Sequence, residues 1–101
     1  MSRYILTAQA KLDLKEVKDY IVRNNPAAAR RFIQAFRQQC QLLAKFPNMG
    51  RSYSQLAPSL RGFPLEKYII FYRSIDKGIE VERLLSGYRD LDALFPEAED
   101  E

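Results

Sequence analysis

The sequence predicts an α+β fold in which a hairpin of two helices packs on a small antiparallel sheet, in the order β-α-α-β-β-β-(α). Two observations favour this class. Apolar residues recur at helical spacing through the first half of the chain, whereas the second half carries short segments rich in β-branched and aromatic residues. The length of 101 residues suits one domain. We expect that domain to span residues 1–96, and residues 97–101 to form a frayed acidic tail.

The first half is predicted to begin with a short strand and a helix. Residues 3–6 (RYIL) alternate briefly, and Thr7 then offers an N-cap hydroxyl to a helix that ends near residues 23–25 (RNN). One face of this helix carries four apolar residues, which are Ala10, Leu14, Val17 and Ile21. Their spacing is typical of a helix with a single buried face.

The second helix is predicted from Pro26 to about Lys45, with Asn25 as its N-cap. Its main apolar stripe consists of Ala29, Ile33, Phe36, Cys40 and Leu43. Three further apolar residues widen that stripe, namely Phe32, Ala35 and Leu42. Because only two or three residues join the two helices, they must pack antiparallel. The extra apolar width predicts that one side of the second helix meets the sheet and another side meets a protein partner.

Three strands are predicted after a turn-rich segment at 47–59. They cover residues 60–65 (LRGFPL), 67–74 (KYIIFYRS) and 79–85 (IEVERLL). The proline in the first of them favours an edge strand, because proline cannot donate to a central ladder. Residues 88–95 (YRDLDALF) are predicted to form one or two final helical turns.

The strand at 67–74 carries aromatic residues on both of its faces. Tyr68 and Tyr72 share a face with Ile70, while Ile69 and Phe71 take the other. If helices cover only one side of the sheet, one of these faces is open to solvent or to a partner. Core packing is the commoner use of such residues, and stacking on bases is the alternative.

The residue types that are absent exclude several kinds of site. The chain has no histidine, which removes the commonest general base, the serine-type triad and most zinc sites. Its single cysteine, Cys40, is expected to be a small apolar core residue. No glycine-rich nucleotide loop is present. We therefore expect no metal and no cofactor, and any enzyme would have to work with Arg, Lys, Tyr and carboxylates.

Charge and hydropathy favour a cytoplasmic protein with an anionic partner. No apolar run approaches the length of a membrane helix, and charges come too early for a signal peptide. The net charge is +3, but four of the 13 acidic residues lie in the last five positions. The nine remaining acidic residues oppose 16 basic ones, so the body carries +7. Such a surface favours an anionic partner such as nucleic acid or an acidic protein segment. The alternative is a solvated surface with an excess of lysine.

Several short motifs, taken in their order and spacing, resemble the toxins of the ParE/RelE superfamily, and the ParE branch in particular. They are YI at 20–21, NPAAA at 25–29, RF at 31–32, LAKFPNMGR at 43–51, LR at 60–61, YIIFYR at 68–73 and GYRDL at 87–91. The resemblance covers nearly the whole chain. It implies the toxic half of a bacterial type II toxin–antitoxin pair, with a small antitoxin as its partner and, as in several ParE-like toxins, DNA gyrase as its target.

The same superfamily includes ribosome-dependent mRNA endonucleases of RelE type, which use arginines and lysines on the sheet and often a tyrosine near the C-terminus. Arg89 fits the position of one such arginine. The middle strand, however, has Ile69-Ile70 where the nucleases place another, and Phe95 has no proton to transfer. Ser86 replaces the histidine of many ParE-like chains. We therefore expect no catalytic residues and a gyrase-binding toxin. The alternatives are a RelE-type nuclease, or an inactive member that only binds its antitoxin.

The resemblance and the residue pattern together suggest two sets of contact residues. Candidates for contact with the target are Arg89, Arg61, Arg51 and Arg73. Candidates for contact with the antitoxin are Phe32, Leu42 and Tyr72. Structural alternatives stay open: Arg89 can pair with a neighbouring aspartate, Arg61 can protect a sheet edge, and Arg51 can cap the second helix.

Overall fold

The computed structural model describes residues 2–87 and confirms the α+β architecture. The elements in chain order are β1 (Arg3–Leu6), α1 (Ala8–Asn24), α2 (Pro26–Lys45), a 3-10 turn (Pro47–Met49), β2 (Arg51–Ser52), β3 (Arg61–Leu65), β4 (Tyr68–Ile75) and β5 (Gly78–Ser86). The predicted last helix at 88–95, the candidate Arg89 and the acidic tail lie outside the described residues.

The helix hairpin forms through two side-chain caps. Thr7 Oγ1 accepts a hydrogen bond from the Ala10 N–H at 3.0 Å, as the sequence predicts. Asn25 ends α1 and begins α2, since its N–H donates to the Ile21 carbonyl at 2.8 Å and its side-chain oxygen accepts from the Ala28 N–H at 3.1 Å. Because one residue joins the helices, they must lie side by side and antiparallel.

The five strands form a mixed sheet in the order β1-β5-β4-β3-β2. The neighbours from β5 to β2 are antiparallel, but β1 runs parallel to β5, with Arg3 opposite Gly78 and Leu6 opposite Val81. This pairing corrects the all-antiparallel prediction. Alternation along a strand indicates its buried face and carries no information about its partner or direction. The two-residue strand β2 was also missed, because it is too short to show any periodicity.

The helices cover one face of the sheet and form the main core with it. This core includes Phe32, Phe36, Cys40, Leu43, Ile70, Tyr72, Ile79 and Val81, all of them at most 2% exposed. Cys40 is buried as predicted, and burial raises the pKa of its thiol to about 12.

The opposite face of the sheet is closed by the loop between β2 and β3. Leu56, Ala57 and Leu60 from this loop pack with Phe71 and Leu85 into a second, smaller core. The ring of Tyr53 meets that of Phe71 edge-on, with their centroids 5.2 Å apart. Both faces of β4 are therefore packed, which confirms core packing as the use of its aromatic residues. The condition for an open face is not met, because apolar residues of the loop fold back on the sheet.

Residues 2–87 contain neither a helix that could cross a membrane nor a cluster of metal ligands. None of the helices there is apolar enough, over a sufficient length, to cross a membrane. No group of three or more His, Cys, Asp or Glu side chains is placed there to hold a metal ion.

Candidate interaction surfaces

Tyr72, a predicted antitoxin contact, lies inside the protein. Its hydroxyl donates to the Pro47 carbonyl at 2.6 Å and accepts from the buried Gly50 N–H at 2.9 Å. Any Cβ at Gly50 would overlap the Tyr72 phenol, so glycine is required where the chain passes that ring. Burial raises the pKa of the phenol, which keeps the donating proton in place. Tyr72 thus anchors the segment after α2 to the sheet, and the prediction that it contacts a partner is corrected.

Phe32, another predicted antitoxin contact, is also a core residue. It is 1% exposed, and its ring meets that of Tyr68 edge-on with centroids 5.5 Å apart. The apolar stripe of α2 is broad because α1 and the sheet both pack against it. The width that suggested a partner is therefore filled by the protein's own elements, and this prediction is corrected as well.

Leu42, the third predicted antitoxin contact, lies on the surface and has two apolar neighbours. Leu42, Phe46 and Met49 are 42%, 57% and 39% exposed. Backbone hydrogen bonds of 3.0 Å from Phe46 to Leu42 and from Met49 to Phe46 place them on successive turns. We call these three residues the Leu42 patch. In the sequence, Phe46 and Met49 were considered only as part of the motif at 43–51 (LAKFPNMGR). Successive spacings of four residues from Leu42 to Phe46 and three from Phe46 to Met49 could have revealed the patch.

The predicted target-contact arginines differ in how their guanidinium groups are engaged. Arg61 donates through Nη1 to the Gly50 carbonyl at 2.7 Å. Arg73 donates through Nε to the Pro58 carbonyl at 2.9 Å, and its Nη1 lies 3.3 Å from Glu82 Oε2. Burial and a hydrogen bond with Glu80 raise the pKa of Glu82, although Arg73 opposes that shift.

Arg51 is the most accessible of the predicted arginines that the structure describes. It lies on the edge strand β2, is exposed, and its guanidinium carbon stands 5.3 Å from the centre of the Tyr53 ring. That ring supports the cation without removing it from solvent. The guanidinium therefore stacks on Tyr53 rather than capping α2.

Asp13 has a structural role that sequence reasoning missed. It is the buried charged residue of the described chain, at 6% exposed. Its carboxylate accepts from Arg83 Nε at 2.7 Å, from Arg83 Nη2 at 3.1 Å and from the Leu84 N–H at 3.1 Å. The carboxylate thus joins α1 to β5. Its position between Ala10 and Val17, on the apolar face of α1, was the available signal.

Comparisons with known proteins agree with this architecture. Residues 4–91 match the family model described as the ParE toxin of the type II toxin–antitoxin system, parDE. Toxin ParE3 of Caulobacter vibrioides is 30% identical over 94 residues, which cover 92% of this chain and 94% of that protein. A solved structure described as the chromosomal ParDE TA system from P. aeruginosa shares 25% identity and a TM-score of 0.71, over 85% of this chain and 96% of the other.

Proposed function

The chain belongs to the ParE toxin family of type II toxin–antitoxin systems, and from that membership we propose that it arrests growth by binding and poisoning DNA gyrase in the cytoplasm. A ParE-type toxin implies an antitoxin partner. We further propose that the cognate antitoxin neutralises this toxin by covering its surface.

One observation favours a binding inhibitor over a nuclease: three arginines of the sheet are hydrogen-bonded within their own chain. Cleaving RNA without histidine or metal needs cations free to neutralise a phosphate transition state. Arg61, Arg73 and Arg83 instead bind carbonyl or carboxylate oxygens of their own chain. Redirecting any of them to a phosphate would break contacts that hold loops or helices to the sheet. This supports an inhibitor that acts by contact rather than by chemistry.

The contact surface for the target is proposed to include Arg51 and Arg89. Arg51 is exposed at one edge of the sheet, and within residues 2–87 it has no carboxylate partner. Arg89 follows two positions after the last described residue, beyond the end of β5. A body charge of +7 would draw both toward an enzyme that carries DNA. Arg61 and Arg73 remain secondary candidates, since their guanidinium groups are only partly exposed.

The antitoxin surface is proposed to include the Leu42 patch. Three neighbouring apolar side chains on consecutive turns form the kind of surface that an amphipathic partner segment covers. Of the three residues first considered for antitoxin contact, only Leu42 has a side chain accessible to a partner.

The decisive experiment is a supercoiling assay with purified protein, gyrase, relaxed plasmid and ATP. We expect loss of supercoiling and accumulation of cleaved DNA when all components are present, with weaker inhibition as salt screens the attraction. Arg51→Ala and Arg89→Ala should each weaken poisoning. Arg3→Ala is the matched control, because Arg3 is exposed on β1 at the opposite edge of the sheet.

A different result would identify a different activity. If the wild-type protein arrests growth while supercoiling stays normal at large molar excess, gyrase is not the target. Cleavage of ribosome-bound mRNA that disappears with Arg89→Ala would establish the nuclease instead. Equal weakening by Arg3→Ala and Arg51→Ala would mean that overall charge, rather than a contact at β2, determines inhibition.

A further inference from the structure

The strand β1 forms one edge of the sheet, and within residues 2–87 no strand lies on its outer side. The N–H groups of Arg3 and Thr7 both donate to carbonyls of the 77–81 segment, each at 3.0 Å. Because backbone groups alternate in direction along a strand, the N–H and C=O groups of Tyr4 and Leu6 point away from β5. The outer side of β1 therefore presents donors and acceptors in the spacing that a further strand would pair with.

An open depression of about 500 Å³ lies between β1 and the helix hairpin. Tyr4 and Leu6 line it from the strand, while Leu14, Ile33 and Phe36 line it from the helices. Side chains of a strand alternate between the two faces of a sheet, so every second residue of a strand added to β1 would point toward this depression. Its apolar lining suits apolar side chains at those positions.

The remaining side chains around the depression are basic. They are Lys11, Lys15, Lys18 and Arg37, all of them exposed. Lys15 pairs with Asp19 at 2.8 Å, so part of this charge is compensated. Lys11 and Arg37, in contrast, have no ion-pair partner within residues 2–87. The surface therefore favours a segment that carries carboxylates next to its apolar residues.

A second copy of the chain suits this edge less well than an acidic segment does. If two copies paired through β1, the basic residues around the two depressions would face each other, and like charges across an interface oppose association. The edge is also only four residues long, or about 13 Å of strand. Affinity therefore depends on side chains in the depression as well as on backbone pairing.

We propose that an extended, acidic segment of the antitoxin adds a sixth strand to the sheet along the outer side of β1. Its backbone pairs with Tyr4 and Leu6, its inward apolar side chains fill the depression, and its carboxylates meet Lys11 and Arg37. In strand addition of this kind, main-chain hydrogen bonds supply affinity and alternate side chains supply specificity. The inference rests on the proposed antitoxin contact and adds to it a surface separate from the Leu42 patch.

The test measures amide hydrogen exchange by NMR with a capped synthetic peptide, Asp-Thr-Ile-Thr-Val-Thr-Asp, whose isoleucine, valine and aspartates share one face of a strand. In the free chain, the Tyr4 and Leu6 amides should exchange at least about tenfold faster than the Ile5 amide, which faces β5. Saturating peptide should slow the exchange of Tyr4 and Leu6 by about tenfold or more and leave Ile5 nearly unchanged. The same two amides should be protected in the complex with the cognate antitoxin.

Matched controls separate strand pairing from general attraction. A peptide with lysine in place of both aspartates should bind at least about tenfold more weakly. N-methylation of alternate peptide amides should abolish binding in one of the two possible sets and spare it in the other, because only every second amide of an added strand faces β1. Lys11→Glu/Arg37→Glu should weaken peptide binding, whereas Arg23→Glu/Lys67→Glu should not. All four side chains are exposed, so both variants should fold.

Four results would overturn the strand addition. They are exchange of Tyr4 and Leu6 as slow as that of Ile5 in the free chain, no slowing by the peptide, equal effects of the two N-methylated sets, and equal behaviour of the two charge-reversed variants. An antitoxin that binds while Tyr4 and Leu6 still exchange fast also overturns it, but leaves the proposed antitoxin contact in place. If the antitoxin does not bind the wild-type chain at all, the proposed function itself fails.

Discussion

Replacing Asp13 by alanine should destabilise the protein more than most substitutions at an arginine or carboxylate. The change removes the acceptor of three hydrogen bonds at 2.7–3.1 Å and leaves Arg83 and the buried Leu84 N–H without it. Removing one partner of a buried ion pair costs about 3–5 kcal/mol. The Arg83 side chain is 19% exposed, which lets water replace part of the interaction. We therefore expect a loss of about 3 kcal/mol in the free energy of unfolding, at the lower end of that range.

Urea unfolding followed by circular dichroism measures this loss. For a domain of this size, about 3 kcal/mol corresponds to a fall of about 1–3 M in the urea midpoint. Asp19→Ala is the matched control: Asp19 is on the same helix and pairs with Lys15 at 2.8 Å, but both side chains are exposed. Its midpoint should not change measurably, because exposed ion pairs are screened by water and salt.

The reasoning is refuted if Asp13→Ala lowers stability by less than about 1 kcal/mol, the worth of a single ordinary hydrogen bond. A double variant, Asp13→Leu/Arg83→Met, separates charge from packing. It should recover part of the stability, since apolar residues of similar volume often replace a buried ion pair without loss. Because α1 and β5 then stay joined, any growth arrest lost with Asp13→Ala should return with the double variant.

Four other side chains give one prediction each. Leu42→Asp should weaken antitoxin binding in a calorimetric titration while changing the free energy of unfolding by less than about 0.5 kcal/mol. Phe32→Ala should lower the free energy of unfolding by about 3–5 kcal/mol. A folded Phe32→Ala protein with an unaltered urea midpoint would contradict the place of Phe32 in the core. Tyr72→Phe should cost about 1–3 kcal/mol in the same urea assay because the buried Gly50 N–H loses its acceptor, and an unchanged midpoint would show that this N–H finds another. Burial raises the pKa of the Cys40 thiol from 9.0 to about 12. The folded state therefore holds this proton more tightly, and stability falls as pH rises between these values. Relative to Cys40→Ala, the loss at pH 10 should be about 1 kcal/mol, and parallel pH profiles of the two proteins would rule this out.

The sequence predicted the elements with a periodic signal and missed the contacts that link distant parts of the chain. The caps at Thr7 and Asn25 are local and were recognisable from residue type. The parallel partner of β1 was not, because its pairing with β5 depends on how the whole chain closes. Spacing also could not tell whether a broad apolar stripe on α2 faces a partner or the protein's own α1 and sheet.

For the candidate contact residues, too, local features could be predicted from the sequence and long-range contacts could not. Leu42 and Arg51 are exposed, and their roles in partner contact stay predictions. Phe32 and Tyr72 were misjudged because burial is a property of the assembled core. Asp13 was missed because its ion-pair partner, Arg83, lies 70 residues later in the chain. Only the folded structure brings the two side chains together.

The pairing of β1 with β5 joins the two ends of the described chain, so it can form only after β5 has been translated. The Thr7 hydroxyl donates to the Glu82 carbonyl across 75 positions of the chain, and every strand that buries the helix hairpin, apart from β1, follows it in the sequence. A nascent chain that stops before β4 lacks the central strands that, with α1, cover the apolar stripe of α2. At about 5–20 residues per second, the ribosome needs roughly 5–20 s to make the whole chain. The folded surface that a partner could recognise therefore forms only after β5 has been synthesised.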